Sequence, residues 1–363
     1  MAQYFPFETV ERGDNVYELQ WGEPLPNDGP AGLDLDAFNR DNLSTGMIVL
    51  HQSRIVYEGY WQGADAASHF NSWSMAKSVT GTLIGIAEAE GLIESIEDPI
   101  VRYVPELAET AYRDVTVEQA LQMSSGVVFD EADGAIRISC LALPPGPIFA
   151  NCDEVRAEFG DLKGFILSLD ERAAPPGTEF NYSDAESQVL GWVIENATGQ
   201  SPAEYLSEKI WQPLGMADKA TWLRDGPDGM PLAGMSINAR LRDYARFGLL
   251  MLNDGVHEGK RLLPEGWVER ATTPSKPHLE RLDPQVFGYQ YHWWVVPDGL
   301  VVPNGSGAYE AQGAQGQFLH IDPQHELVVA MTSAWPGPTG WDIERAMAFH
   351  ETVGSILRAL GYD

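Results

Sequence analysis

The chain has 363 residues, 44% of them hydrophobic, enough to bury one large core or two adjoining ones, and no apolar run approaches the length a bilayer-spanning helix needs. With 53 acidic residues against 23 basic ones the formal charge is −30, which repels nucleic acid and anionic membrane surfaces alike. The acids are scattered rather than massed in one tail, which suits a hydrated surface and a saline habitat.

Met1–Glu11 has neither the basic region nor the apolar stretch of a signal peptide, so a cytoplasmic address is expected. Met47–His51 and Arg54–Tyr60 are β-rich runs joined by Gln52-Ser53 and read as a hairpin. Ser74–Glu90 reads as one helix, with Val79, Leu83, Ile84, Ile86 and Ala87 apolar and Gly91 as a left-handed stop. Ser74 and Lys77 stand three residues apart, so hydroxyl and amine share one face of its first turn. That spacing fits an activated nucleophile, or a plain N-cap beside a solvated lysine.

Helices are expected to dominate from about Ile96 to Pro274. Thr116-Val-Glu-Gln119 and Ser201-Pro202-Ala203-Glu204 are capping boxes. Between them the stretch Phe129–Pro145 has little periodicity and reads as a loop that could line a cleft. Cys140 and Cys152 lack metal-type spacing and are expected to remain thiols or to pack as small apolar residues. Pro175-Pro176-Gly177 forms a fixed approach to Tyr182, after which Ser183 and Glu186 read as a further capping box opening a helix that runs to Gly199. Asn238 precedes the helix carrying Arg242 and Tyr244 and reads as its cap, and Asn253-Asp254-Gly255 ends that helix.

Strand character returns at Phe287–Val296, Gly316–Ile321 and Glu326–Ser333, with Pro323-Gln324 as a turn, and a final helix repeats Ile343, Ala346, Met347, Val353, Ile356, Leu357 and Leu360 at helical spacing. The order hairpin, helices, β-meander, helix implies an α/β (α+β) fold. Its antiparallel sheet is assembled from both chain ends, residues 1–95 and 275–363, with a mainly helical domain inserted over 96–274. Neither H-E-x-x-H nor G-x-S-x-G occurs, so no metal and no cofactor is expected.

Ser74-x-x-Lys77, then Tyr182-Ser-Asp184, then the glycine-rich Ala311-Gln-Gly-Ala-Gln-Gly-Gln317 resemble the serine β-lactamase-like superfamily of class C β-lactamases, D-aminopeptidases and esterases. Val115–Val127, Ile210–Met216 and Ala239–Leu250 are similar to its helical-domain signatures. Trp211-Gln-Pro-Leu-Gly-Met216 followed by Ala220–Leu223 looks most like the 6-aminohexanoate-dimer hydrolase branch.

The resemblance implies a β-lactamase/transpeptidase-like fold with the active site between sheet and helical domains. It also implies an acyl-enzyme serine hydrolase acting on a small ester or amide, with Ser74, Lys77 and Tyr182 catalytic. A D-aminopeptidase or acyltransferase of the same fold, or a scaffold that has lost turnover, is the alternative. Lys77 can act as base only if burial and neighbouring positive charge lower its pKa toward neutrality, and the Tyr182 phenol would pass a proton to the leaving group. The oxyanion would rest on the Ser74 N–H and that of Ala314 or Gln315. Gly313 and Gln315 are expected to line the substrate strand, Gly313 marking a close backbone approach or a bulge, and a match to an asparagine of the nylon-oligomer-type branch makes Asn238 a candidate substrate contact. Two departures stand out. No lysine or histidine occupies the 311–317 segment, which counts against a β-lactam carboxylate. Asp184 replaces the asparagine of Tyr-x-Asn, either contacting substrate or charging the helix N-terminus.

Overall fold

The computed structural model describes residues 6–26, 33–142, 152–282, 287–302, 305–336 and 340–362. The strands are β1 (Phe7–Val10), β2 (Ser44–His51), β3 (Arg54–Tyr60), β4 (His69–Asn71), β5 (Ala220–Leu223), β6 (Ile237–Arg240), the short pair β7 (Val256–His257) and β8 (Lys260–Arg261), β9 (Gly288–Gln290), β10 (Trp293–Val295), β11 (Tyr309–Gly313), β12 (Gln317–Asp322) and β13 (Leu327–Ser333). Among the described residues a seven-stranded sheet runs β3-β2-β13-β12-β11-β10-β9 with every pairing antiparallel, so it is built from both ends of the chain as the pattern implied.

Helices α1 (Leu35–Asp41), α2 (Met75–Ala89), α3 (Val117–Leu121), α4 (Glu131–Ala142), α5 (Cys152–Phe159), α6 (Leu162–Leu167), α7 (Asp184–Thr198), α8 (Pro202–Leu206), α9 (Leu241–Leu252), α10 (Trp267–Thr272), α11 (Pro277–Glu280) and α12 (Ile343–Ala359) surround it. The apolar run of β13 does not alternate because both of its faces are covered: Met331 and Val329 join Phe349, Val353 and Ile356 of α12, while Val328 and Ala330 join α9 on the other side. Glu310 of β11 is fully buried, where it accepts from His320 Nδ1 at 3.0 Å and His350 Nε2 at 2.9 Å. Burial pushes that carboxyl up, but the two imidazoles prevail and hold it below the usual carboxylate range, tying β11 to α12.

Several expectations are corrected. β5, β6 and α9 lie inside 96–274, yet β5 and β6 join a small sheet in the order β1-β5-β6-β4 and α9 packs on β12 and β13, so that span is not one helical domain. Phe287–Val296 is not one strand: Tyr291 and His292 adopt φ of 39° and 68° and turn β9 back as β10. That turn is anchored on α2, where Ser78 Oγ donates to the His292 carbonyl at 2.6 Å and His292 Nδ1 donates to the Lys77 carbonyl at 3.0 Å. Burial pushes the His292 imidazole down to about 3, which keeps it neutral.

The Ser183–Glu186 capping box does not form. Ser183 makes no side-chain cap bond, and Glu186 accepts instead from Ser125 Oγ. The boxes at Thr116 and Ser201 are both complete. The loop expected at Phe129–Pro145 is largely the helix α4, while residues 143–145 lie outside the described residues. Cys140 and Cys152 are neither thiols nor lone apolar residues but a disulfide with Cα atoms 4.8 Å apart, joining α4 to α5. Closing a loop of this size stabilises the fold by about 3 kcal/mol. Titration with Ellman's reagent in denaturant is expected to find no thiol before reduction and both afterwards. Two thiols without reductant would refute the bond.

Candidate active site

The small sheet delivers the chain to the site. β4 ends at Asn71, whose Oδ1 accepts the Trp73 N–H at 3.1 Å, and Trp73 takes the left-handed region at φ 43° before α2 begins. A bulky residue there carries strain of the kind concentrated at functional turns. Ser74 is the N-cap residue of α2, but its hydroxyl makes no cap bond. The plain capping role therefore leaves it unused.

Lys77, 2% exposed, donates from Nζ to Ser74 Oγ at 3.0 Å, to the Gly234 carbonyl at 3.1 Å and to Asp184 Oδ1. The same Nζ lies 4.9 Å from the centre of the Tyr182 ring, which also stacks on Trp294 with centroids 5.6 Å apart. Tyr182 also meets the edge of Tyr289, so an aromatic wall from β9 and β10 fixes the phenol over the lysine. The structure thus brings Ser74, Lys77, Tyr182 and Asp184 together.

The charges correct one expectation. Burial pushes the Lys77 ammonium down, but Asp184, Tyr182 and Glu131 outweigh it and the net shift is upward. No positive neighbour lowers it toward neutrality. The Tyr182 phenol is pushed up by burial; Lys77 opposes this, Glu131 and Asp184 add to it, and the Ser74 hydroxyl favours the phenolate. Asp184, 3% exposed at the first residue of α7, spends its carboxylate on Lys77 rather than on open space.

The turn after β11 faces the Ser74 turn. A Cβ on Gly313 would come within 2.3 Å of the Ser72 carbonyl oxygen and 3.1 Å of Trp73 Cβ, so this glycine marks a backbone approach; the register through Gly313↔Gln317 is unbroken, leaving no bulge. Gln315 donates its N–H to the Gly340 carbonyl, while among the described residues no acceptor takes the N–H of Ala314 or of Ser74. Of the two alternatives for a second oxyanion donor, Ala314 is the one left open. Gln317 Nε2 holds the turn through the carbonyls of Ala314 at 3.2 Å, Gln315 at 3.1 Å and Ser333 at 2.9 Å. Asn238 lies in β6 opposite Asn71 with its amide on the Ser236 carbonyl at 3.3 Å; it does not cap α9, whose N-cap residue is Arg240.

Sequence reasoning missed Glu131. This half-buried first residue of α4 accepts the Asp184 N–H on Oε2 at 3.1 Å. A signal was present in Asp130-Glu-Ala-Asp133, where Asp130 Oδ1 accepts the Asp133 N–H as an N-cap would.

An antiparallel sheet with a Ser-x-x-Lys helix packed on it and a tyrosine brought in just before α7 defines the β-lactamase/transpeptidase-like fold. The chain belongs to the Beta-lactamase family, which matches residues 35–352, and so to a family of hydrolases. Among curated relatives it is 29% identical over 315 residues to the 6-aminohexanoate-dimer hydrolase of Paenarthrobacter ureafaciens, covering 84% of this chain and 76% of that one. Among solved structures, "Putative 6-aminohexanoate-dimer hydrolase from Bacillus anthracis" superposes with a TM-score of 0.84 at 24% identity, covering 100% of this chain and 93% of that one. A family VIII carboxylesterase superposes with a TM-score of 0.66 at 19% identity, covering 94% and 100%. No helix among the described residues is long and apolar enough to cross a membrane.

Asp184→Asn tests the ion pair. In the wild type the folded pKa of Lys77 lies above its ordinary 10.5, so the pair's contribution is complete below that value and lost as pH rises through the folded one. In the variant burial acts on Lys77 without Asp184 to oppose it, and stability falls as pH falls. The Tm deficit of Asp184→Asn is therefore expected to grow from pH ~10 down to pH ~6, reaching the equivalent of about 3–5 kcal/mol. A deficit that is flat with pH would refute the pairing.

Proposed function

We propose that this chain is a serine hydrolase cleaving a small ester or amide through an acyl-enzyme on Ser74. The carrying observation is the Ser74 hydroxyl, free of any capping bond, 3.0 Å from Lys77 Nζ and beside the Tyr182 phenol. Since Asp184 keeps Lys77 an ammonium, the lysine becomes a base by passing one proton to that carboxylate as it takes the serine proton. In a buried pair the neutral form costs far less than two separated charges would. Ser74 Oγ then bonds the carbonyl carbon, and the Ser74 and Ala314 N–H groups hold the oxyanion. The scissile bond breaks as Tyr182 gives its proton to the leaving group and recovers one from Lys77, and Asp184 returns the borrowed proton to Lys77. Water completes the cycle by the reverse route.

The substrate class draws on the relatives: one is named a 6-aminohexanoate-dimer hydrolase and one a carboxylesterase. A fluorophosphonate probe followed by peptide mass spectrometry tests the reading, with the adduct expected on Ser74. A panel of p-nitrophenyl esters, 6-aminohexanoate dimer, D-amino-acid amides and nitrocefin then ranks substrates, nitrocefin last. No adduct on folded protein would overturn the proposal.

A further inference from the structure

The helix that carries Asp184 and follows Tyr182 begins without the cap its own sequence offers, because the Ser183 hydroxyl bonds none of the first-turn N–H groups. An N–H at a helix start needs an acceptor. For Asp184 that acceptor is Glu131 Oε2, from α4, at 3.1 Å. Two carboxyl groups thus meet at one ammonium: Asp184 bonds Lys77 directly, and Glu131 acts on Lys77, on Tyr182 and on Asp184 through space.

We propose that Glu131 is a positioning residue of this site, a neutral carboxyl that caps α7 from outside and thereby fixes the Tyr182 phenol and the Asp184–Lys77 pair. The charge count supports the neutral form. The groups facing Glu131 are Lys77 from α2, Tyr182 two residues before α7, Asp184 at the first residue of α7, Tyr289 from β9 and Asp130 just before α4. Lys77 is the one cation among them, and Asp184 already holds it. The cations on α4 and on the helices packed along it pair with other carboxylates: Arg137 of α4 with Asp133 and Glu158, Arg156 of α5 with Asp153, and Lys163 of α6 with Glu195. Burial pushes the Glu131 carboxyl up, Asp184 adds to the shift, Lys77 opposes it, and the result is about 9.

The consequence has a sign. Ionised Glu131 adds negative charge beside Lys77 and Tyr182, raising both of their pKa values, so the ammonium holds its proton more tightly and the neutral amine that must take the serine proton forms less often. Acylation of Ser74 therefore slows above pH ~9, where a site waiting only on deprotonation would speed up.

The kinetic arm rests on the proposed serine chemistry; the spectroscopic arm does not. In protein labelled with ¹³C at glutamate Cδ, one carboxyl signal besides that of buried Glu186 is expected to titrate near pH 9 and to vanish in Glu131→Gln. Its absence would overturn the neutral form. In the kinetic arm, fluorophosphonate labelling of the wild type is expected to fall on the alkaline side, and Glu131→Gln, which retains an acceptor oxygen, to lose that fall. Glu131→Ala, without the acceptor, is expected to slow labelling about 10–100-fold at every pH, the scale of a misplaced group. A merely structural residue would lower Tm and leave the pH profile in place, and that result overturns the positioning role. Wild type that titrates near pH 9 but takes no label would instead sink the serine reading and leave the protonation state of Glu131 standing.

Discussion

Ser74→Ala is expected to abolish hydrolysis while the protein stays folded. Its hydroxyl makes no cap bond, so the change removes one acceptor from Lys77 and costs at most about 1 kcal/mol. Lys77→Ala should be nearly as severe for turnover but differ in stability. It strands Asp184, buried and without its cation, at a cost of about 3–5 kcal/mol. Kinetics and calorimetry on the two variants therefore separate: both inactive, one markedly less stable. Because the groups act as a unit, the double variant should be no slower than either single one. Residual turnover above ~1% of wild type in Ser74→Ala, well beyond what removal of an essential nucleophile leaves, would sink the assignment.

Tyr182→Phe is expected to lower kcat on the order of 10²–10⁴, the range of a general acid–base group. The ring keeps its place, since it stacks on Trp294 and packs under the Lys77 ammonium. Only the hydroxyl is lost. The effect should be larger for amides than for p-nitrophenyl esters, because an amine must be protonated as the C–N bond breaks whereas p-nitrophenolate departs unaided. Equal losses on both substrates would place Tyr182 in forming the nucleophile. No loss on either would reduce the phenol to packing.

What could be read from the sequence was what is local. Ser74 and Lys77 share a turn, so spacing alone placed them on one face, and the boxes at Thr116 and Ser201 hold because every partner lies within three residues. The Ser183–Glu186 box has the same spacing and fails because Ser125, from a distant loop, takes the glutamate. Asp184 looked like a helix-end charge; its lysine partner is separated from it by the whole segment between α2 and α7. Glu131 went unread for the same reason, its role being set by an N–H on another helix. The break at Tyr291–His292 is imposed by docking on α2 rather than by any turn residue in the run.

The contact between Gly313 and the Ser72 carbonyl also bears on how this site can diversify. The two halves of the proposed oxyanion cradle are wedged backbone against backbone, so any side chain at 313 would prise the Ala314 N–H away from the proposed nucleophile. A mutational library aimed at new substrates finds that position closed. Variation is instead open to Ala314, whose side chain is partly exposed, and to residues one shell out on the aromatic wall. Novel specificity in this chain is expected to arrive by reshaping the walls around a cradle that cannot itself be redrawn.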